Sequence, residues 1–140
     1  GEYRLALYAS TEYLNKNHEI KSIKDLANHP FVSYIDDLIE FPQLKYMQDL
    51  LHEVNIVFRS SSLQAQYQAV SDGIGLALLH GFIAAEDNKL EVILPKKIFA
   101  TREYWMVVHE DLHQLSRVKA VSSFFTEVIK NEQSRLMRIV

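Results

Sequence analysis

The stretch NIVFRSSSLQAQYQAVSDGIGLALLHGFIAAEDNKLEVILP, residues 55–95, decides the reading of this chain. It opens with an apolar strand over residues 55–59, followed by the hydroxyl run Ser60, Ser61 and Ser62. An amphipathic helix follows, with Leu63, Tyr67 and Val70 on one face, and ends at Gly73, whose backbone freedom suits a helix stop. Next come a buried run over residues 76–79, a short helix, and a second strand over residues 90–94 halted by Pro95. This order sets three serines just past a strand's carboxyl end and at a helix's amino end. Free backbone N–H groups and short hydroxyls there suit a small polar or anionic ligand. Helix capping is the commoner role of such residues and the one the residues alone favour, and the two roles are compatible.

Outward from this stretch the chain keeps alternating. Residues 4–9 read as a strand, and Ser22 with Asp25 forms a capping pattern for a short helix through Ala27. Pro30 ends that helix, and residues 31–35 read as a second strand that closes on Ile35, Asp36 and Asp37. Pro42 suits a first helical turn, with Leu44, Met47, Leu50, Leu51 and Val54 at helical spacing behind it. The apolar run Tyr104, Trp105, Met106, Val107 and Val108 suits a strand covered on both faces. Ser116 is placed to cap a last helix whose stripe is Val118, Val121, Phe125, Val128 and Ile129. Strands alternating with helices predict an α/β domain with a mainly parallel sheet and flanking helices.

Composition narrows the function. At 140 residues and 48% hydrophobic content, one globular domain is expected. A net charge of −3, from 15 basic and 18 acidic side chains, leaves no electrostatic footprint for nucleic acid. The absence of cysteine removes disulfide and thiolate chemistry and fits a reducing cytoplasm. No apolar run approaches the roughly 20 residues of a membrane span, and the first ten residues lack a signal-peptide pattern. The abrupt start, almost inside a strand, reads as a piece of a longer protein.

Several motifs compete for chemistry. Asp36 and Asp37 sit at a strand's carboxyl end, where they favour a cation or a hydroxyl-bearing ligand, or else form a solvated loop. Gly73-Ile74-Gly75 is not a dinucleotide fingerprint, because Leu78 holds the third glycine position and the order is helix to strand. His109-Glu110-Asp111-Leu112-His113 satisfies H-E-x-x-H by letter, the zinc hydrolase pattern. That pattern must lie within a helix, whereas His109 follows a predicted strand and Lys119 stands where the third ligand of the extended motif belongs. Glu127 or Glu132 would serve as a ligand only if everything from Met106 were helical. His18, His29, His52 and His80 show no ligand spacing and read as surface or satisfied polar residues. Trp105, Phe124 and Phe125 read as packing residues, and no Gly-x-Ser-x-Gly elbow is present. No catalytic residue, metal site or cofactor is expected.

A resemblance orders these pieces. Leu7-Tyr8-Ala9-Ser10, Ser22-Ile23-Lys24-Asp25-Leu26 and Pro30-Phe31-Val32 stand first. Val70-Ser71-Asp72-Gly73-Ile74-Gly75-Leu76 and Tyr104-Trp105-Met106-Val107-Val108-His109 follow, then Arg117-Val118-Lys119-Ala120. In this order and spacing, from Tyr3 to about Lys130, the chain resembles the carboxyl-terminal part of the effector-binding domain of LysR-type transcriptional regulators. It departs at His80, where the family usually carries proline. The resemblance implies one lobe of a type 2 periplasmic-binding-protein-like fold, about residues 5–99. Residues 104–140 would then be a crossover strand and helix returning to a first lobe. It further implies a cytoplasmic, non-enzymatic sensor whose small-molecule effector meets Ile35, Asp36, Asp37, Ser60, Ser61 and Ser62 in an interlobe cleft. DNA would be bound only through a helix-turn-helix outside this chain, and the full-length protein would form a homodimer or tetramer without membrane contact. A zinc hydrolase using His109, Glu110 and His113, and a transport-type solute-binding protein, are the alternatives.

Overall fold

The computed structural model describes residues 1–35 and 54–139. The predicted helix over residues 42–54 therefore lies almost wholly outside the described residues. β1 (Glu2–Ser10) leads into α1 (Thr11–Lys16), whose first turn is capped by the Ser10 hydroxyl accepting from the Tyr13 N–H at 3.2 Å. A 3₁₀ helix (Ile23–Asn28) begins where the Asp25 carboxylate accepts from the Lys21 and Ser22 backbone N–H groups at 3.0 and 2.8 Å. The Lys21 amide first, then that of Ser22, holds this carboxyl below the usual range. β2 (Pro30–Ser33), β3 (Asn55–Arg59), α2 (Leu63–Ser71), β4 (Ala77–His80) and α3 (Gly81–Ala84) follow. β5 (Leu90–Ile93) stops one residue early because Leu94 turns the chain with φ 49°. β6 (Phe99–Glu103), a 3₁₀ turn (Glu110–Leu112), α4 (Ser116–Asn131) and α5 (Gln133–Leu136) complete the order.

The sheet is mixed, which corrects the expectation of a mainly parallel one. β1 pairs antiparallel with β4 on one side and with β5 and β6, placed end to end, on the other. β2 and β3 pair in parallel, and a parallel bridge from Phe31 to Leu76 joins them to the segment entering β4. The bonds of that seam run from the Leu76 N–H to the Pro30 carbonyl at 2.9 Å and from the Val32 N–H to the Leu76 carbonyl at 2.8 Å. β2, β3, β4, β5 and β6 therefore share one direction, and only β1 opposes them.

β1 is apolar without alternation because both its faces are covered. Leu7 and Ala9 join Tyr13, Leu26, Phe31 and Leu76 in one core; Ala6 and Tyr8 join Val32, Val70, Leu79 and Ala84 in the other. Gly73 takes φ 78° at the end of α2, as a helix stop requires. Gly75 serves differently: a Cβ there would collide with the Pro30 carbonyl oxygen and stand 2.8 Å from its carbon.

Two expectations fail beyond β6, itself not anticipated from the sequence. Residues 104–108 form no ladder among the described residues, and Trp105 and Val107 are 81% and 90% exposed. The run is long enough for a strand, but a strand needs a partner edge, and β1 is already occupied along this side by β5 and β6. Ser116 is the first helical residue rather than the cap, a position held by Leu115 without a side-chain bond. The stripe on α4 is present but uncovered, with Val121 and Phe125 more than half exposed. Among the described residues no helix is long and apolar enough to cross a membrane.

Candidate functional site

The carboxyl ends of β2 and β3 lie side by side. Ser33 pairs with Arg59, and the Ser60 N–H donates to the Ser33 carbonyl at 3.0 Å. Ser60 is then absorbed into the fold: its hydroxyl accepts from the Ser62 N–H at 3.1 Å, and its carbonyl from the buried Gln66 side-chain amide at 2.8 Å. Ser62 caps α2, its hydroxyl accepting from the Ala65 N–H at 3.3 Å. Ser61 between them is exposed, and its hydroxyl forms no hydrogen bond among the described residues. The first turn of α2 leaves backbone N–H groups unbonded beside it. Capping and ligand contact thus divide between neighbouring serines. Ile35 stands half-buried two residues beyond Ser33, whereas Asp36 and Asp37 lie outside the described residues.

The same edge continues across the sheet. β4 runs with β2, so His80 ends there; reversed β1 begins there with Tyr3, and Tyr104 follows β6. Tyr3 is stacked between His80, with ring centroids 5.0 Å apart, and Tyr104, at 4.4 Å. Phe82 meets Tyr3 and His80 edge-on at 6.4 and 5.5 Å. Burial raises the Tyr3, Tyr34 and Tyr104 hydroxyl pKa values, against the opposing charge of Arg102 at Tyr3. Burial also lowers that of His80, whose Nδ1 is buried without a partner among the described residues. The wall is therefore aromatic and neutral near pH 7. The Arg59 guanidinium, which donates to the Tyr34 carbonyl at 3.4 Å, stands at its serine end.

Sequence reasoning missed this wall. It treated His80 as a surface or satisfied residue, yet the ring is half-buried and stacked. The available signal was positional, since Tyr3, Tyr34, His80 and Tyr104 each fall within two residues of a strand end. Using it requires knowing that β1 is reversed and central.

The H-E-x-x-H letters occupy no continuous helix. His109 precedes the 3₁₀ turn, its Nδ1 accepting from the Asp111 N–H at 3.2 Å, and the His113 Nδ1 contacts the Glu110 carbonyl. Among the described residues no group of three or more histidines and carboxylates is placed to hold a metal ion.

An α/β lobe with hydroxyls and backbone N–H groups at its strand ends has the layout in which open α/β folds bind ligands. The family model for the LysR substrate binding domain matches residues 1–130, and the chain belongs to that family. Its fold is similar to the regulatory domain of CrgA, a LysR-type transcriptional regulator from Neisseria meningitidis. The two share 21% identity with a TM-score of 0.69 over 91% of this chain and 65% of that one. It is also similar to full-length CrgA (21% identity, TM-score 0.72, covering 92% of this chain and 46% of that one). Full-length AphB, a virulence activator of Vibrio cholerae, gives 22% identity and a TM-score of 0.68 over 89% of this chain and 44% of that one. The chain thus spans about two thirds of the CrgA regulatory domain and less than half of the full-length regulators. No curated protein matches it.

Proposed function

We propose that this chain is the larger part of the effector-binding domain of a cytoplasmic LysR-type transcriptional regulator, sensing a small polar molecule at the edge formed by Ile35, Asp36, Asp37 and Ser60 to Ser62. The observation that carries the reading is the Ser60–Ser33 bond, which presents the unengaged Ser61 hydroxyl and the start of α2 at the ends of two parallel strands. Hydroxyl and N–H donors stand at one end of this edge and the aromatic wall of Tyr3, His80 and Tyr104 at the other. Binding acts on transcription by favouring one arrangement of the regulator over another, so the effector must bind the two arrangements unequally. DNA contact belongs to a helix-turn-helix outside these residues.

The exposed apolar groove between residues 106–108 and α4, lined by Met106, Val108, Val118, Val121 and Phe125, supports the division of the domain. Residues 5–99 are the second lobe, and residues 104–140 the crossover that covers a first lobe in the full-length regulator, itself a dimer or tetramer. The test is Ser61→Ala in that regulator. One lost hydrogen bond of about 0.5–1.5 kcal/mol weakens the effector response roughly threefold to tenfold, while DNA affinity without effector stays the same. An unchanged dose-response with folding intact removes Ser61 from the site.

A further inference from the structure

Residues 132–139 lie beyond the family match, which ends at residue 130, yet they reach back onto the lobe. Leu136 is buried, and Arg135 Nη2 meets Glu86 Oε1 at 2.7 Å just past α3. Ile139 packs against the core that contains Ala6, Tyr8 and Ala84. The closest approach is at Gly81, the first residue of α3. A Cβ there would collide with the Arg138 carbonyl oxygen and stand 2.8 Å from Ile139 Cγ2. Gly81 directly follows His80, the β4 residue of the aromatic wall. At the other end, the Gln133 side-chain amide donates to the Glu2 carbonyl at 3.2 Å, beside Tyr3. A continuous path of contacts therefore runs from the strand edge, through Gly81 and the returning segment, into α4.

We propose that residues 132–139 form a clasp coupling the strand edge at His80 to the long helix α4, so that displacement of either is transmitted to the other. Among the described residues α4 has no buried residue of its own and otherwise meets this lobe near Gly1, through Ile129; with its apolar face on the first lobe, the clasp ties that lobe to the strand edge at His80. The Glu132 N–H bonded to the Val128 carbonyl at 2.9 Å and the Leu136 N–H bonded to the Glu132 carbonyl at 2.9 Å make the clasp nearly continuous with the helix. Movement of Gly81 towards the segment meets backbone, which cannot rotate aside as a side chain would. The signalling consequence rests on the effector reading above, whereas the mechanical coupling does not.

The experiment is hydrogen exchange on the full-length regulator without effector, so it reads coupling alone. Gly81→Ala should release residues 132–139 and speed amide exchange along α4, while the β1 and β4 amides stay protected. Arg135→Glu and Glu86→Arg, each alone, should raise exchange in α3 and α4 by about 1.5-fold to fivefold, as expected for a half-exposed ion pair. Combining them should restore most of the protection, short of the share lost with the Arg135–Glu132 pair at 3.7 Å. Faster exchange confined to residues 81–86 and 132–139, with α4 unchanged, would show a passive anchor and overturn the proposal. Failure of the double reversal to restore α4 would do the same. Should Gly81→Ala also expose β1 and β4, the reversal pair alone decides.

Discussion

Replacing Gly75 with alanine should weaken the protein more than replacing Gly73, although both glycines sit in one short turn. At Gly73 the added Cβ meets nothing closer than the Ser10 hydroxyl at 3.5 Å, an ordinary contact. The cost is then confined to the backbone at φ 78°, about 1–2 kcal/mol. At Gly75 the new methyl occupies the place of the Pro30 carbonyl, the acceptor of one of the two hydrogen bonds joining β2 to the β4 segment. Overpacking of this kind costs about 1–3 kcal/mol. Spreading the seam adds about 0.5–1.5 kcal/mol for each of those bonds, so the total is about 2–6 kcal/mol. With a urea slope of about 2 kcal/mol/M, the midpoint falls by roughly 1–3 M for Gly75→Ala and by no more than about 1 M for Gly73→Ala. Urea denaturation of both variants and of Ile74→Ala, a change at an exposed position, measures the order. Equal or smaller loss at Gly75 would refute the reasoning, because it would mean that β2 and β3 shift away from β4 at little cost.

Tyr67→Phe removes the 2.6 Å hydrogen bond from the Tyr67 hydroxyl to the Asp87 carboxylate, which pushes Tyr67 up to about 12 and holds Asp87 down. A loss of about 1.5–3 kcal/mol is expected near pH 7, shrinking as pH falls through the Asp87 pKa, and a pH-independent loss in thermal denaturation contradicts it. His29 is 2% exposed with Nδ1 2.7 Å from the Tyr13 hydroxyl, and burial, then the neighbouring His18, lowers its pKa. Its folded pKa lies below the unfolded value of about 6.5, so stability is full above that pH and declines below it; His29→Gln should flatten this part of the Tm–pH curve, and an unaltered slope assigns it elsewhere. Purified protein should carry no stoichiometric zinc, because His109 and His113 lie outside any continuous helix; about one zinc per chain by elemental analysis, lost on His109→Ala, would reinstate the hydrolase reading. The chain alone should self-associate through the uncovered face of α4, and a clean monomer by light scattering at high concentration argues against that.

What could be read from the sequence was local. The strand Asn55–Arg59, the cap at Ser62 and the helix Leu63–Ser71 depend on β-branched and aromatic residues, a hydroxyl and a period of 3.6, all within seventeen positions. The run Ser60 to Ser62 stood out for the same reason, whereas the structure alone separates Ser61 from its neighbours. Where expectation and structure part, the deciding interaction is distant in sequence. The apolar run over residues 104–108 has strand composition, but composition does not say whether a partner edge is free. The parallel sheet was inferred from alternation of elements, which carries no sign of strand direction, and β1 is the strand that reverses. The aromatic wall joins Tyr3 of β1, His80 of β4 and Tyr104 of the loop after β6, so no window contains it. Asp36 and Asp37 lie outside the described residues, so their proposed part in the site rests on the sequence reading.

The position of β1 also bears on how the protein acquires its shape. Its ladder with β6 closes over a long loop: Gly1 and Tyr104, 103 positions apart, exchange backbone hydrogen bonds just past the ladder's end. Such pairing carries a large closure entropy before any contact repays it, and high contact order slows folding. During synthesis at about 5–20 residues per second, β1 must wait roughly five to twenty seconds for β6. Until its partners emerge, its apolar faces and its edges are available to other chains. β4 and then β5 emerge earlier: β4 can cover one edge, and β5 the Leu7–Ser10 part of the other, which leaves Glu2–Ala6 open on that side until β6 arrives. Kinetic competition between β6 and foreign strands at that part of the edge is therefore expected to lower the yield of folded protein at high expression.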